Sequence, residues 1–187
     1  MIVSQAEEIL EKCLKRDQQT QEHCRRVAGY AMALCQEIGL DDNECQAVYT
    51  AALLHDIGKC NIPADILTKP DRLTSDEFTI ISRHPGFSAK ILMEYELFEK
   101  VISYVVHHHE RIDGKGYPYG LKDYKIPLGA KIIAIADSFD AMTSQREYSA
   151  TKTLPQAVEE LRELAGLQFD VNLVEPFINI VVNMQAI

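Results

Sequence analysis

Apolar residues recur at three- and four-residue spacing along most of this chain, the period of an α-helix that buries one face. Between residues 18 and 38, Val27, Tyr30, Ala31, Leu34 and Ile38 form such a stripe, and His23 lies on it four residues before Val27. The spacing predicts a helix with His23 facing inward. Val48, Ala51, Ala52 and His55 share a face of the next segment, which closes with Asp56 and the glycine of HDIGK. From Phe98 a further stripe runs through Val101, Ile102, Val105 and Val106 into three consecutive histidines. At about 100° per residue, His108 and His109 fall at the edge and centre of that stripe, whereas His107 points roughly opposite.

The sequence LGAKIIAIADSFDAM reads as an apolar helix interrupted by Asp137 and Asp140, three residues apart on one face. Helical patterns over Leu154–Ala165 and Leu173–Met184 complete an all-α, single-domain chain. Ser4 with Glu7, Thr74 with Glu77 and Thr153 with Gln156 read as capping boxes that open helices. Gly39 and Gly166 sit where left-handed C-terminal caps belong. ERIDGKGYPYGLKDYKIP reads as a long loop in which Gly114, Gly116 and Gly120 relieve backbone constraints, and loops of this length are often functional.

Composition narrows the function classes. The 187 residues are 47% hydrophobic, enough for one globular domain with a sizeable core. No signal-peptide pattern and no run of roughly 20 apolar residues is present, so the expectation is a cytoplasmic protein without membrane insertion. Five cysteines, at 13, 24, 35, 45 and 60, contain no C-x-x-C pair and read as reduced thiols filling the core. A formal charge of −9 argues against duplex nucleic acid as partner. An anionic substrate stays compatible with that charge if metal ions supply local positive charge.

Five of the six histidines, His23, His55, His84, His108 and His109, can be placed with Asp56 and Asp137 in one metal-binding constellation. Taken singly each is a weak signal, because an inward histidine is commonly a hydrogen-bonded core residue. Together they are costly to bury unless something binds them. The set is large enough for two ions, a common arrangement for cleaving phosphate esters.

These motifs carry a resemblance. HDIGK at 55–59, IP at 62–63, ILTKP at 66–70, HP at 84–85, HHERIDGKGYPYGL at 108–121, IPLGAKI at 126–132 and ADSFDAMTSQREY at 136–148 resemble the HD-GYP family. The likeness runs from about Arg16 to Phe177. HD-GYP proteins are a branch of the HD metal-dependent phosphohydrolases. The resemblance implies an HD-type helical bundle that hydrolyses cyclic di-GMP to pGpG or GMP by a hydroxide activated between two divalent ions.

Carried over by position, the resemblance implies metal ligation by His23, His55, Asp56, His84, His108, His109 and Asp137, with Asp56 bridging two ions. Lys59 matches the lysine that meets the scissile phosphate; read alone it is also a solvated helix-end lysine. Tyr117 and Arg146 match positions that face the substrate; read alone, the first is a loop-packing aromatic and the second a helix-end cation complementing the dipole. Asp140 lies near the centre, either orienting Lys59 or a water, or standing as a solvated helix carboxylate.

The nitrogen and oxygen ligand set suits iron or manganese and leaves zinc, nickel and magnesium open. Gln19 stands where three-metal relatives carry a glutamate, which favours two ions. Arg146-Glu147-Tyr148-Ser149 lacks a second basic residue, a loss of about 1.5–3 kcal/mol in substrate contact. Alternatives are therefore a phosphohydrolase for another cyclic dinucleotide or nucleotide, and a catalytically weak cyclic di-GMP-binding or interaction module. The expected organisation is one domain over 1–187, with an N-terminal helix over 1–16, a catalytic core over 17–177 and the end of a C-terminal helix over 178–187. That leaves no room for a sensory domain, so the chain is either a stand-alone unit or a piece of a longer protein. A regulatory or signalling protein partner fits the resemblance, and oligomeric state is not readable from the sequence.

Overall fold

The computed structural model describes residues 2–95, 99–144 and 151–184, and among them the chain is helical without a strand. The helices are α1 (Ile2–Cys13), α2 (Gln18–Glu37), α3 (Asp42–Leu54), α4 (Ala64–Leu67), α5 (Ser75–Ile81), α6 (His84–Leu92), α7 (Glu99–His107), α8 (Leu128–Thr143), α9 (Leu154–Glu163) and α10 (Val171–Met184). Short 3-10 turns cover Ile57–Asn61 and Asp123–Lys125.

Side-chain chemistry sets most of the boundaries. The Asp17 carboxylate accepts from the Thr20 N–H at the start of α2, and Asp41 accepts from the Glu44 N–H at the start of α3. Thr74 with Glu77 and Thr153 with Gln156 form the expected capping boxes of α5 and α9. The Ser4–Glu7 pair does not cap: α1 already runs from Ile2, so that Ala6, Ile9 and Leu10 reach the core in helical register, and Ser4 sits exposed inside the first turn. After α2 the Gly39 N–H donates to Gln36 O and the Leu40 N–H to Cys35 O, the paired bonds of a Schellman stop, with Gly39 at φ 74°.

One apolar core joins α1, α2, α3, α6, α7, α8, α9 and α10. Helix α2 lies at its centre, packed on α3, α8 and α10. Its stripe behaves as expected: Val27, Ala31 and Leu34 are buried, while Tyr30 packs edge-on against Phe139 and Phe177. On α7, Val101 and Val105 are buried; Phe98 lies outside the described residues. All five cysteines are free thiols, and Cys24, Cys35 and Cys45 fill the core as expected, but Cys60 is exposed in the 3-10 turn. No described helix is long and apolar enough to cross a membrane.

Two departures from the helix reading bear on the site. Helix α3 stops at Leu54, with His55 as its cap and Asp56 leading into the 3-10 turn, so Gly58 is no helix terminator. Its function is space: a Cβ there would lie 2.2 Å from the His84 carbonyl oxygen and 2.4 Å from the Ser88 nitrogen. Helix α7 stops at His107, so His108 and His109 occupy the turn beyond it rather than helix positions.

Candidate metal centre

Five segments converge on one point. Helix α2 contributes His23, the end of α3 contributes His55 and Asp56, α6 opens with His84, the turn after α7 carries His108 and His109, and α8 contributes Asp137. Two of the three-residue groups whose ligand atoms lie within 4.8 Å of one another are His23, His55 and Asp137, and His84, His108 and His109. Asp56 lies between them. Its Oδ2 is 3.4 Å from His55 Nε2 and 3.7 Å from His23 Nε2, while its Oδ1 is 3.2 Å from His84 Nε2.

Ring orientation follows from what holds Nδ1. The Nδ1–H groups of His55, His84 and His108 donate to the carbonyls of Ala52, Ile81 and Val105, three residues earlier in each case, at 2.7, 2.8 and 2.6 Å. His23 instead donates from Nδ1 to Asp140 Oδ2 at 2.7 Å. Every one of these four rings thus turns its Nε2 toward the cluster, the orientation a ligand needs. His84 Nε2 and His108 Nε2 face each other at 3.3 Å. His55 Nε2 and Asp56 Oδ1 are buried without an aligned hydrogen-bond partner. Burying such atoms is costly, so inward ring nitrogens and an orphaned carboxylate oxygen fit a pair of divalent cations. His107 stays out: its Nδ1–H donates to Ser103 O and its ring lies beside Tyr119.

Burial and charge divide the site in two. Burial drives His84 down to about 4, His109 to about 3 and His108 well below the usual histidine range, so this side offers neutral imidazoles. On the other side burial also opposes the charged form of His55, but the Asp56 carboxylate outweighs it and raises the pKa well above normal. His23 is raised likewise, with burial overcome by its bonds to Asp137 and Asp140. Asp56 is held far below the carboxylate range despite its burial, first by Lys59 and then by His55.

Lys59 Nζ donates to Asp56 Oδ2 at 2.5 Å, so it is bound to the dyad rather than free in solvent. The Tyr117 ring stacks on His109 at 4.7 Å and meets Phe78 edge-on at 5.9 Å, which places it against the cluster. Arg146 lies outside the described residues, as do Glu147, Tyr148 and Ser149. Asp140 neither orients Lys59 nor stands in solvent. It is 1% exposed and divides its oxygens between His23 and the Arg26 guanidinium, because α2 crosses α8 there.

Several contributors have no sequence signal of their own. Arg26 is one. Glu110, buried in the long loop, accepts the Tyr119 N–H at 2.7 Å and the Leu121 N–H at 2.8 Å and so folds the GYP segment back over the site. Ser88 accepts the Gly58 N–H and donates to His55 O, both at 2.8 Å, tying α6 to the dyad. Cys24 brings a thiol within 4.8 Å of ligand atoms of His55 and Asp56, but burial pushes its pKa up, which favours the neutral thiol.

Two cavities flank the cluster. A cleft of ≈ 1060 Å³ is lined by Lys15, Arg16, Gln19, His23, Arg26 and Lys59, among others. A smaller one of ≈ 240 Å³ lies by Tyr117, His109 and Asp137.

Comparison with known proteins bears on the family and the fold. The HD domain family model matches residues 7–173. A cyclic di-GMP phosphodiesterase of Thermotoga maritima is 39% identical over 88% of this chain and 45% of its own length. The 3'3'-cGAMP-specific phosphodiesterase 2 of Vibrio cholerae is 38% identical over 86% of this chain and 31% of its own. The chain therefore spans less than half the length of these curated relatives. The HD domain of the L. monocytogenes phosphodiesterase PgpH, solved in complex with cyclic-di-AMP, has the same fold, with a TM-score of 0.71 at 23% identity over 95% of both chains.

Proposed function

The chain belongs to the HD domain family, and from that membership we propose that it is a metal-dependent phosphodiesterase that hydrolyses cyclic di-GMP to pGpG or GMP. The observation that carries this reading is Asp56, set between two histidine groups with Lys59 on its Oδ2. His23, His55 and Asp137 would hold one divalent ion, His84, His108 and His109 the second, and Asp56 both. Iron or manganese suits these donors. Such a pair of ions supplies charge neutralisation on a phosphoryl group and lowers the pKa of a water molecule.

The residues do the rest. Neutral imidazoles at 84, 108 and 109 bind without first releasing a proton. Lys59, anchored by Asp56, stands at the cleft wall as the cation for a non-bridging phosphate oxygen. Tyr117 shields the His109 side, with Arg146 as the expected further substrate contact. No side chain needs to act as nucleophile.

Protein loaded anaerobically with iron or manganese, challenged with cyclic di-GMP, 3'3'-cGAMP and cyclic di-AMP, should consume cyclic di-GMP with the highest kcat/KM. Near-equal identity to a 3'3'-cGAMP-specific relative supports a second reading, hydrolysis of the mixed dinucleotide. Preference for that substrate would select it, and turnover of none would overturn both.

Metal removal offers a test independent of turnover. Ions that bind only the folded chain stabilise it by about 2.7 kcal/mol each at a hundred times Kd. For a chain of this size that is a rise of roughly 5–10 °C in Tm per ion. Thermal melts with manganese and with a chelator should differ by this much; superimposable melts would contradict the centre.

A further inference from the structure

We infer that Arg26 and Asp140 are a positioning pair for the metal centre: they lock the His23 ring with Nε2 turned inward and so set the affinity of the ion held by His23, His55 and Asp137. The inference rests on the metal-centre reading above and goes beyond its ligand set.

The geometry is specific to one ring. His55, His84 and His108 are oriented by backbone carbonyls, which are neutral and fixed by helix geometry. His23 alone, among the described residues, gives its Nδ1–H to a carboxylate. An ionised acceptor makes the stronger hydrogen bond and raises the electron density at the opposite ring nitrogen, the ligand atom. That nitrogen lies 3.1 Å from Asp137 Oδ1. His23 therefore depends on a side chain where the other three depend on the main chain.

Arg26 determines what Asp140 can do. Its Nε–H reaches Asp140 Oδ1 at 2.6 Å and Nη2–H reaches Oδ2 at 3.0 Å, a two-pronged clamp. Both oxygens are thereby engaged, so Asp140 cannot rotate into the cluster as a further ligand beside Asp137. The guanidinium, with its side chain 41% exposed, also covers a carboxylate that is only 1% exposed and balances its charge. His23 and Arg26 are three residues apart on α2, and Asp137 and Asp140 three apart on α8. Each pair shares a helix face, so one helix crossing aligns a ligand with a ligand and a support with a support.

A purely structural staple between α2 and α8 would have the same contacts, and the two roles separate in solution. The full chain and its Asp140→Asn, Arg26→Ala and Arg26→Lys variants are titrated with manganese against a chromogenic chelator and melted in excess chelator. Asp140→Asn and Arg26→Ala should weaken one of the two ions by about 10- to 100-fold, leaving the other at its wild-type affinity. Arg26→Lys keeps the charge but not the clamp and should fall between. A lower melting temperature in chelator with both affinities unchanged would overturn the inference and leave a staple. If either alanine or asparagine variant fails to fold, the lysine variant decides by the same measure. Wild-type protein that binds no manganese would sink the metal-centre reading itself, and this inference with it.

Discussion

Replacing Asp56 by alanine is expected to release both ions and to lower turnover on the order of a thousand-fold. Its two oxygens face opposite groups, Oδ1 toward His84 and Oδ2 toward His55 and His23, so its loss removes a donor atom from each side of the proposed centre. Losing the ions forfeits several kcal/mol of transition-state charge stabilisation, and each 1.36 kcal/mol is a decade in rate. The substitution also removes the partner of Lys59 and the charge that holds His55 raised. Breaking a buried pair by removing one member leaves the other uncompensated, a cost of about 3–5 kcal/mol when it stays buried. Lys59 is partly open to the cleft and can turn outward, so the chain should survive while its substrate cation is misplaced. Asp56→Asn keeps the shape and removes the charge, and should lose metal almost as completely. Elemental analysis beside a turnover assay checks this; an alanine variant holding two ions and working within about tenfold of wild type would refute it.

How much of this centre was legible depended on where each residue's partners lie. His23 and His55 announce themselves because they replace apolar residues on a helical stripe, and local periodicity is visible in sequence. A helical wheel separates His108 and His109 from His107 even though α7 ends at His107, because the turn that follows still directs them toward His84. Ser4 misled for the complementary reason: a serine with a glutamate three residues on is compatible with a cap, but the burial of Ala6, Ile9 and Leu10 decides where the helix starts.

Arg26 and Glu110 carry no local signal at all. A charged residue on the outer part of α2, or in a polar loop, reads as solvated until its partner is brought to it, and Arg26 meets Asp140 across 114 positions of sequence. For Asp140 the sequence leaves Lys59, a water and solvent open as partners, whereas the structure gives it His23 and Arg26, since sequence order says nothing of which helices cross. The resemblance to HD-GYP proteins assigns the same seven residues as expected ligands; it does not assign the supports.

Gly58→Ala should disable the centre without touching a ligand. The added Cβ would sit 2.2 Å from His84 O, 2.4 Å from Ser88 N and 2.8 Å from Ser88 Oγ. Two of these atoms are backbone and cannot rotate aside, so α6 or the 3-10 turn has to move. Overpacking of this kind costs about 1–3 kcal/mol, occasionally more. The move also strikes chemistry, because α6 opens with His84, whose Nε2 lies 3.2 Å from Asp56 Oδ1, and a misplacement of about 1 Å can cost a hundredfold in rate. Gly29→Ala is the matching control: the same methyl, in the exposed middle of α2, meets nothing within 4 Å and should stabilise by about 0.5–1 kcal/mol through better helix propensity. Denaturant unfolding with metal analysis therefore reads opposite signs from one chemical change. A Gly58→Ala protein of wild-type stability and metal content would show that the tight approach of α6 to the HD turn is not what places His84.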